Sequence, residues 1–288
     1  MERLQETGGP PEAGRPRREG NGGLAMLDLS NITKTFFPGT VNERKALRGV
    51  DLHLAPGEFV TVIGSNGAGK STILNMVSGK LRPDTGSVVI DGTDVTRLAD
   101  FQRAKYIGRV FQDPMAGTAP TMSIEQNMAM ALERGKRRGL ALGVTAAKRE
   151  RFTEELKSLE LGLERRLKAK VGLLSGGQRQ ALSLLMATFS GPKILLLDEH
   201  TAALDPQRAA LVSRLTAELV ERHHLTTLMV THNMEQALTL GTRLVMMHDG
   251  RIILDLDQER KSQMTVADLL HEFEKIKGAQ LDDRTMLQ

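Results

Sequence analysis

Cysteine and tryptophan are both missing from the 288 residues, and Tyr106 is the lone tyrosine. Without thiols there is no disulfide scaffold, thiolate zinc site, iron–sulfur cluster or cysteine nucleophile, and a reducing compartment is expected. Aromatics make up only 3% of the chain, too few for a protein that grips nucleic acid or sugar mainly by stacking. No apolar stretch approaches the roughly 20 residues of a membrane-spanning helix. The longest pure runs, such as Ile194–Leu197, are of strand length, so any membrane role has to come through a partner. Met1–Gly23 holds six glycines, three prolines and almost no apolar residue. It lacks the apolar centre of a signal peptide, so the chain is expected to stay inside the cell. The same composition cannot offset its ordering entropy, and residues 1–25 are expected to form a disordered tail.

What is present fits a folded α/β protein. Hydrophobic residues at 40% and charged residues at 26% exclude a fibrous or wholly disordered chain. The net charge of +4 is unevenly spread: Ala131–Lys170 carries twelve basic residues against six acidic ones. Such a stretch is either a solvated helical face or a surface drawn to anionic lipid headgroups or an acidic partner.

Beyond the tail, strand-like and helix-like segments alternate, which predicts a parallel or mixed sheet with helices packed on it. Leu27–Ile32 alternates like a half-buried strand. Glu58–Ile63, Ile107–Phe111, Ile194–Leu197, Thr226–Val230 and Leu244–Met247 read as further strands. Lys70–Ser78 has helical spacing and stops at Gly79. Met128–Lys170 breaks the alternation and reads as a helical, charged insertion. Thr265 with Asp268 forms a capping-box pattern for a helix through about Lys277.

Gly64-Ser65-Asn66-Gly67-Ala68-Gly69-Lys70-Ser71-Thr72 lies between a predicted strand and a predicted helix, the context a GxxxxGK[ST] phosphate loop requires. Its glycines let the backbone approach a phosphate, so successive N–H groups can form an anion nest at a helix N-terminus. Lys70 places a point charge on the β- and γ-phosphates, and Ser71 offers a hard oxygen to Mg²⁺. Ile194–Glu199 is a buried strand ending in two acids. In that arrangement Asp198 supports the metal and Glu199 addresses a water as general base. Leu174-Ser175-Gly176-Gly177-Gln178 begins a second helix whose Ser175 is a good N-cap, with an apolar stripe of Leu182, Leu185, Met186 and Phe189. Its exposed N-terminus is a second phosphate-binding device.

With these motifs on one chain, Met26–Ile253 resembles the ATP-binding-cassette ATPases, the nucleotide-binding subunits of ABC transporters. The resemblance implies a P-loop NTPase core over residues 26–255 with a mixed sheet and an antiparallel β edge. It further implies an α-helical subdomain inserted at about 113–172, and a C-terminal helix and tail over 256–288. It also implies a head-to-tail dimer, with Ser175, Gly176, Gly177 and Gln178 of one subunit closing over ATP in the phosphate loop of the other. A single set of motifs then points to a homodimer, or a heterodimer with a similar chain. Gln112 matches the Q-loop residue that reaches Mg²⁺ and water, His232 the switch histidine that holds the γ-phosphate, and Phe36, with Phe37 as competitor, the aromatic that stacks on adenine. Two positions depart from the family pattern: His200 stands where proline usually follows the glutamate, and Ala202 replaces the D-loop serine. His200 is expected either to tune Glu199 or to be a plain loop substitution. Asp205 should N-cap a helix with Pro206 at its first position.

The resemblance also places two permease subunits on Gln112–Met130, where Met115, Met122, Met128 and Met130 offer either an adaptable groove or core packing. The format looks like an uptake system, in which the chain works at the cytoplasmic face of the inner membrane through its permease, with an extracytoplasmic solute-binding protein and no nucleic acid. The stretches Phe37–Glu43 and Asp198–Asp205 resemble a bacterial subgroup whose cargoes are amino acids and related small solutes. The rival within the family is a lipoprotein-release or other non-import mechanical system.

Overall fold

Among the described residues, short apolar runs bounded by glycine and polar turns become ten strands, and the segments between them supply the helices. The computed structural model describes residues 25–136, 139 and 142–275. The expected tail before residue 25 and everything after 275 lie outside the described residues. The strands are β1 (Leu27–Phe36), β2 (Arg44–Leu54), β3 (Phe59–Gly64), β4 (Thr85–Ile90), β5 (Thr93–Asp94), β6 (Ile107–Val110), β7 (Ile194–Asp198), β8 (Thr226–Val230), β9 (Arg243–His248) and β10 (Arg251–Leu256). The helices are α1 (Lys70–Ser78), α2 (Asp100–Arg103), α3 (Ile124–Leu132), α4 (Ala146–Lys157), α5 (Gly176–Thr188), α6 (Pro206–Arg222), α7 (Met234–Thr239) and α8 (Gln258–Ser262). A further helix, α9, covers residues 266–275, capped as expected by reciprocal bonds between Thr265 and Asp268.

Two sheets result. One is antiparallel in the order β2-β1-β4-β5, and the other runs β10-β9-β3-β8-β7-β6, parallel except for the β10 edge. The parallel strands are covered on both faces, which is why they read as unbroken apolar runs rather than alternating ones. Along β7, Ile194 and Leu196 join the core shared with α1 and the antiparallel sheet, beside Val60, Val62, Ile73 and Leu27. Leu195 and Leu197 point the other way, into the core under α3, α4, α5 and α6 with Phe152, Leu182 and Leu185. The expected α/β fold with a mixed sheet, an antiparallel edge and a helical insertion is therefore the observed one.

Three details differ from the expectation. β1 runs on past Ile32 to Phe36, because β2 and β4 pair with it on either side. The helical insertion is less helical than its composition: α3 starts earlier, at Ile124, where Ser123 and Gln126 make a capping box. It ends after Leu132, with Gly135 following at φ 73°. The two helices α3 and α4 are followed by short 3₁₀ turns at Leu163–Arg165 and Val171–Leu173. Four of the basic residues there pair with acids, as Lys148–Glu133, Arg149–Glu125, Lys157–Glu154 and Arg165–Glu164, and only Glu125 lies outside the stretch, so most of the basic excess is left.

Candidate nucleotide-binding and catalytic site

The phosphate loop joins β3 to α1 at the C-terminal edge of the parallel sheet. Gly64 has φ 145°, and a Cβ there would lie 2.1 Å from the Met247 carbonyl oxygen, so only glycine lets β3 turn this close to β9. Gly69, at φ 103°, caps α1 with no side-chain bond, and no acidic residue occupies the first turn. The N-terminal N–H groups and the positive end of the helix dipole are thus left for an anion. Lys70 Nζ donates to the carbonyls of Gly64 (2.8 Å) and Ser65 (3.0 Å), holding the charge inside the loop. Burial pushes its pKa down, and the Glu199 carboxylate partly opposes that shift.

A cleft opens around this loop, lined by Phe36, Arg44, Asn66, Gly67, Lys70, Ser71, Thr72 and Glu199 among others. Phe36, at the end of β1, is half-buried on this wall, whereas Phe37 is 67% exposed and does not line it. Arg44 was not foreseen. It opens β2 and donates from Nη2 to the Gly67 carbonyl at 2.9 Å, adding a cation to the wall.

Asp198 ends β7, between β8 and β6, and Glu199 follows it. Glu199 has a left-handed φ of 43° and its N–H donates to Val230. This turns its carboxylate toward His232, whose Nδ1 lies 3.3 Å from Glu199 Oε2. Asp198 Oδ2 is held at 2.8 Å by Arg109 Nη2, a partner invisible to motif reading. Arg109 Nη1 also donates to Asn75 Oδ1 and Ser78 Oγ on α1, and its guanidinium lies 4.8 Å from the Phe111 ring. One side chain thus ties the helix after the phosphate loop to the acidic end of β7. Gln112 is exposed just past β6, whose Val110 pairs with Leu197, so it emerges beside the two acids.

Ser175, Gly176, Gly177 and Gln178 do not line the cleft. They form the start of α5, where Ser175 Oγ accepts from Gln178 N–H and Gln178 Oε1 accepts from Ser175 N–H. A Cβ at Gly177 would meet the Arg208 side chain at 3.1 Å, so any larger residue there would push Arg208 aside. Asp205 caps α6 as expected, with Pro206 at the first position.

Two expectations are corrected. His200 does not face Glu199: it is 2% exposed, and its Nε2 lies 2.9 Å from Thr216 Oγ1 on α6. Burial pushes its pKa down to about 4, so the ring is neutral and directed into the fold. Met128 is no part of a docking groove, being fully buried beneath α3. Met115 and Met130 are exposed, and Met122, Met130, Ala129 and Val144 line an apolar groove between α3 and α4.

Comparison with known proteins decides the family. The profile described as "ABC transporter" matches residues 47–202, which span the phosphate loop, the Ser175 segment and both acids. The chain belongs to the ABC transporter family. This cassette is 43% identical to a tyrosine transport ATP-binding protein of Clostridioides difficile, over 86% of its own length and 99% of the relative's. It is 34% identical to a methionine import ATP-binding protein of Streptomyces griseus, over 91% of its length and 73% of that protein's. A solved dimeric ATP-binding cassette in a post-hydrolysis state, bound to ADP and phosphate, superposes with a TM-score of 0.69 at 34% identity. That match covers 81% of this chain and 99% of that one. The cassette is an ATP-binding, ATP-hydrolysing domain, and among its described residues no helix is long and apolar enough to cross a membrane.

Proposed function

We propose that this cassette powers the uptake of a small solute of the amino-acid class through separate permease subunits, working as a homodimer at the cytoplasmic face of the membrane. The observation that carries the hydrolytic half of this reading is the 3.3 Å contact of Glu199 with His232 at the rim of the Lys70 cleft. Glu199 is the general base, accepting a proton from the attacking water, and His232 orients it and addresses the γ-phosphate. Lys70 and the backbone of Gly64–Gly69 hold the phosphates, Thr72 continues that wall, and Phe36 stacks on the adenine. Ser175, Gly176, Gly177 and Gln178 lie outside their own chain's cleft, as segments that close over the partner subunit's ATP would.

Among the described residues no group of three or more His, Cys, Asp or Glu side chains could hold a metal. A metal here would rest on few protein oxygens, with phosphate and water completing its shell, as Mg²⁺ prefers. The donors fit: the Ser71 hydroxyl at the head of α1, the Asp198 carboxylate, of which Arg109 engages only Oδ2, and the Gln112 amide. Mg²⁺ bound there would neutralise charge developing on the β- and γ-oxygens.

The exposed Met115 and Met130 and the groove beside Met122 support docking of the permease on Gln112–Met130. The named relatives support an import role and an amino-acid cargo; the reading further includes a solute-binding protein that delivers the cargo. Two measurements test the reading. Glu199→Gln protein given ATP should dimerise in light scattering and fail to hydrolyse; a monomer, with and without permease, refutes the sandwich. The complex reconstituted with its permease should show ATPase stimulation by an aromatic or sulfur-containing amino acid. Stimulation by no amino acid refutes the cargo class.

A further inference from the structure

The left-handed backbone of Glu199 is a sparsely populated conformation for a residue with a side chain, and it persists only where the surroundings over-determine it. The two residues that follow supply the anchors. His200 is buried against α6 with its Nε2 2.9 Å from Thr216 Oγ1. The Thr216 hydroxyl gives its own proton to the Val212 carbonyl at 2.8 Å, so toward the imidazole it is an acceptor, and His200 carries its proton on Nε2. Thr201 is fastened separately: its hydroxyl lies 3.1 Å from Nε2 of Gln236, which also donates to Ser213 Oγ at 2.8 Å. The same amide accepts from Thr231 Oγ1 at 2.9 Å, and Thr231 directly precedes His232. Ser213 and Thr216 are three apart on α6 and share one face. Both catalytic segments are therefore tied, within two residues of Glu199 and one of His232, to a single stripe of one helix.

We propose that His200 and Gln236 are positioning residues that hold the Glu199 carboxylate and the His232 imidazole in register by anchoring their loops to the Ser213–Thr216 face of α6. This rests on the reading of Glu199 as the general base, and the test separates the two. Single-turnover ATP hydrolysis, ATP affinity and thermal melting are measured on the full chain for His200→Leu, His200→Gln, Thr216→Val, Gln236→Leu and Glu199→Gln. A misplacement near 1 Å costs on the order of a hundredfold in rate. His200→Leu, Thr216→Val and Gln236→Leu should each lose between about tenfold and a hundredfold in the hydrolysis rate, with ATP affinity unchanged. His200→Gln, whose amide N–H reaches the place of the imidazole Nε2, should recover most of the loss. Unchanged rates in His200→Leu and Thr216→Val overturn the proposal. So does a loss that His200→Gln fails to rescue, or one matched by an equal loss of ATP affinity. If His200→Leu does not fold, Thr216→Val, which keeps the side-chain volume, decides. A Glu199→Gln protein that still hydrolyses ATP normally overturns the base assignment instead.

Discussion

Replacing Arg109 by methionine removes the guanidinium that holds Asp198 while keeping an apolar stem of similar length against Phe111. The pair is tight, 2.8 Å, and poorly solvated, with the two side chains 13% and 17% exposed. Deleting one partner of a fully buried pair costs about 3–5 kcal/mol, because the other charge is left uncompensated. The residual exposure of both groups screens part of this, which lowers the expectation to about 2–3 kcal/mol. Each kcal/mol shifts the midpoint by roughly 2–4 °C in a chain of this size class, so Tm should fall by about 4–12 °C. Calorimetry on Arg109→Met, Asp198→Asn and the double variant measures it. The double variant should recover part of the single losses, with a coupling of about 1–3 kcal/mol. Magnesium with ATP should narrow the gap between wild type and Arg109→Met, since a cation at Asp198 supplies the missing charge. Strict additivity, or a shift below about 1 °C, refutes the claim that Arg109 is the counter-ion of Asp198.

Phe36→Ala should weaken ATP binding by roughly 1–3 kcal/mol, the value of one base stacked on an aromatic ring, while Phe37→Ala leaves it unchanged in equilibrium titration. Met128→Asp should prevent stable folding in urea titration, because it buries a carboxylate in the core under α3. Met130→Asp, at a position 40% exposed, should fold and lose only its permease coupling. Lys261 donates to the Leu240 and Gly241 carbonyls after α7, and burial pushes its pKa down to about 8. Between that value and 10.5 the unfolded chain binds the proton more strongly than the folded one. The stability of wild type relative to Lys261→Met should therefore rise with pH through that window and be flat below it, as read from urea midpoints.

The elements that build the candidate site were legible wherever their pieces are contiguous in sequence. The phosphate loop carries its own context, a strand before it and a helix after it, and Ser175, Asp205 and Thr265 announce helix starts by the capping residues themselves. His200 and Met128 were ambiguous for a different reason. Periodicity says that a side chain on an apolar helix or strand-end turn is inward or outward only when its neighbours fix the phase. His200 sits in a turn with no period to read. Met122, Met128 and Met130 straddle the boundary of α3, so that the apolar face could not be assigned until Ser123 was seen to cap the helix.

Sequence alone determined the alternation of strand and helix, the phosphate cradle, the acidic end of β7 and the second helix start, because each depends on local backbone geometry and on residues a few positions apart. Only the tertiary structure decided which charges and amides meet across that framework. Arg109 reaches Asp198 across 89 positions, Gln236 reaches Thr201 across 35, and Arg44 reaches Gly67 across 23. Those contacts follow from sheet order and helix rotation, which are set by burying both faces of the parallel strands together. No local spacing encodes them.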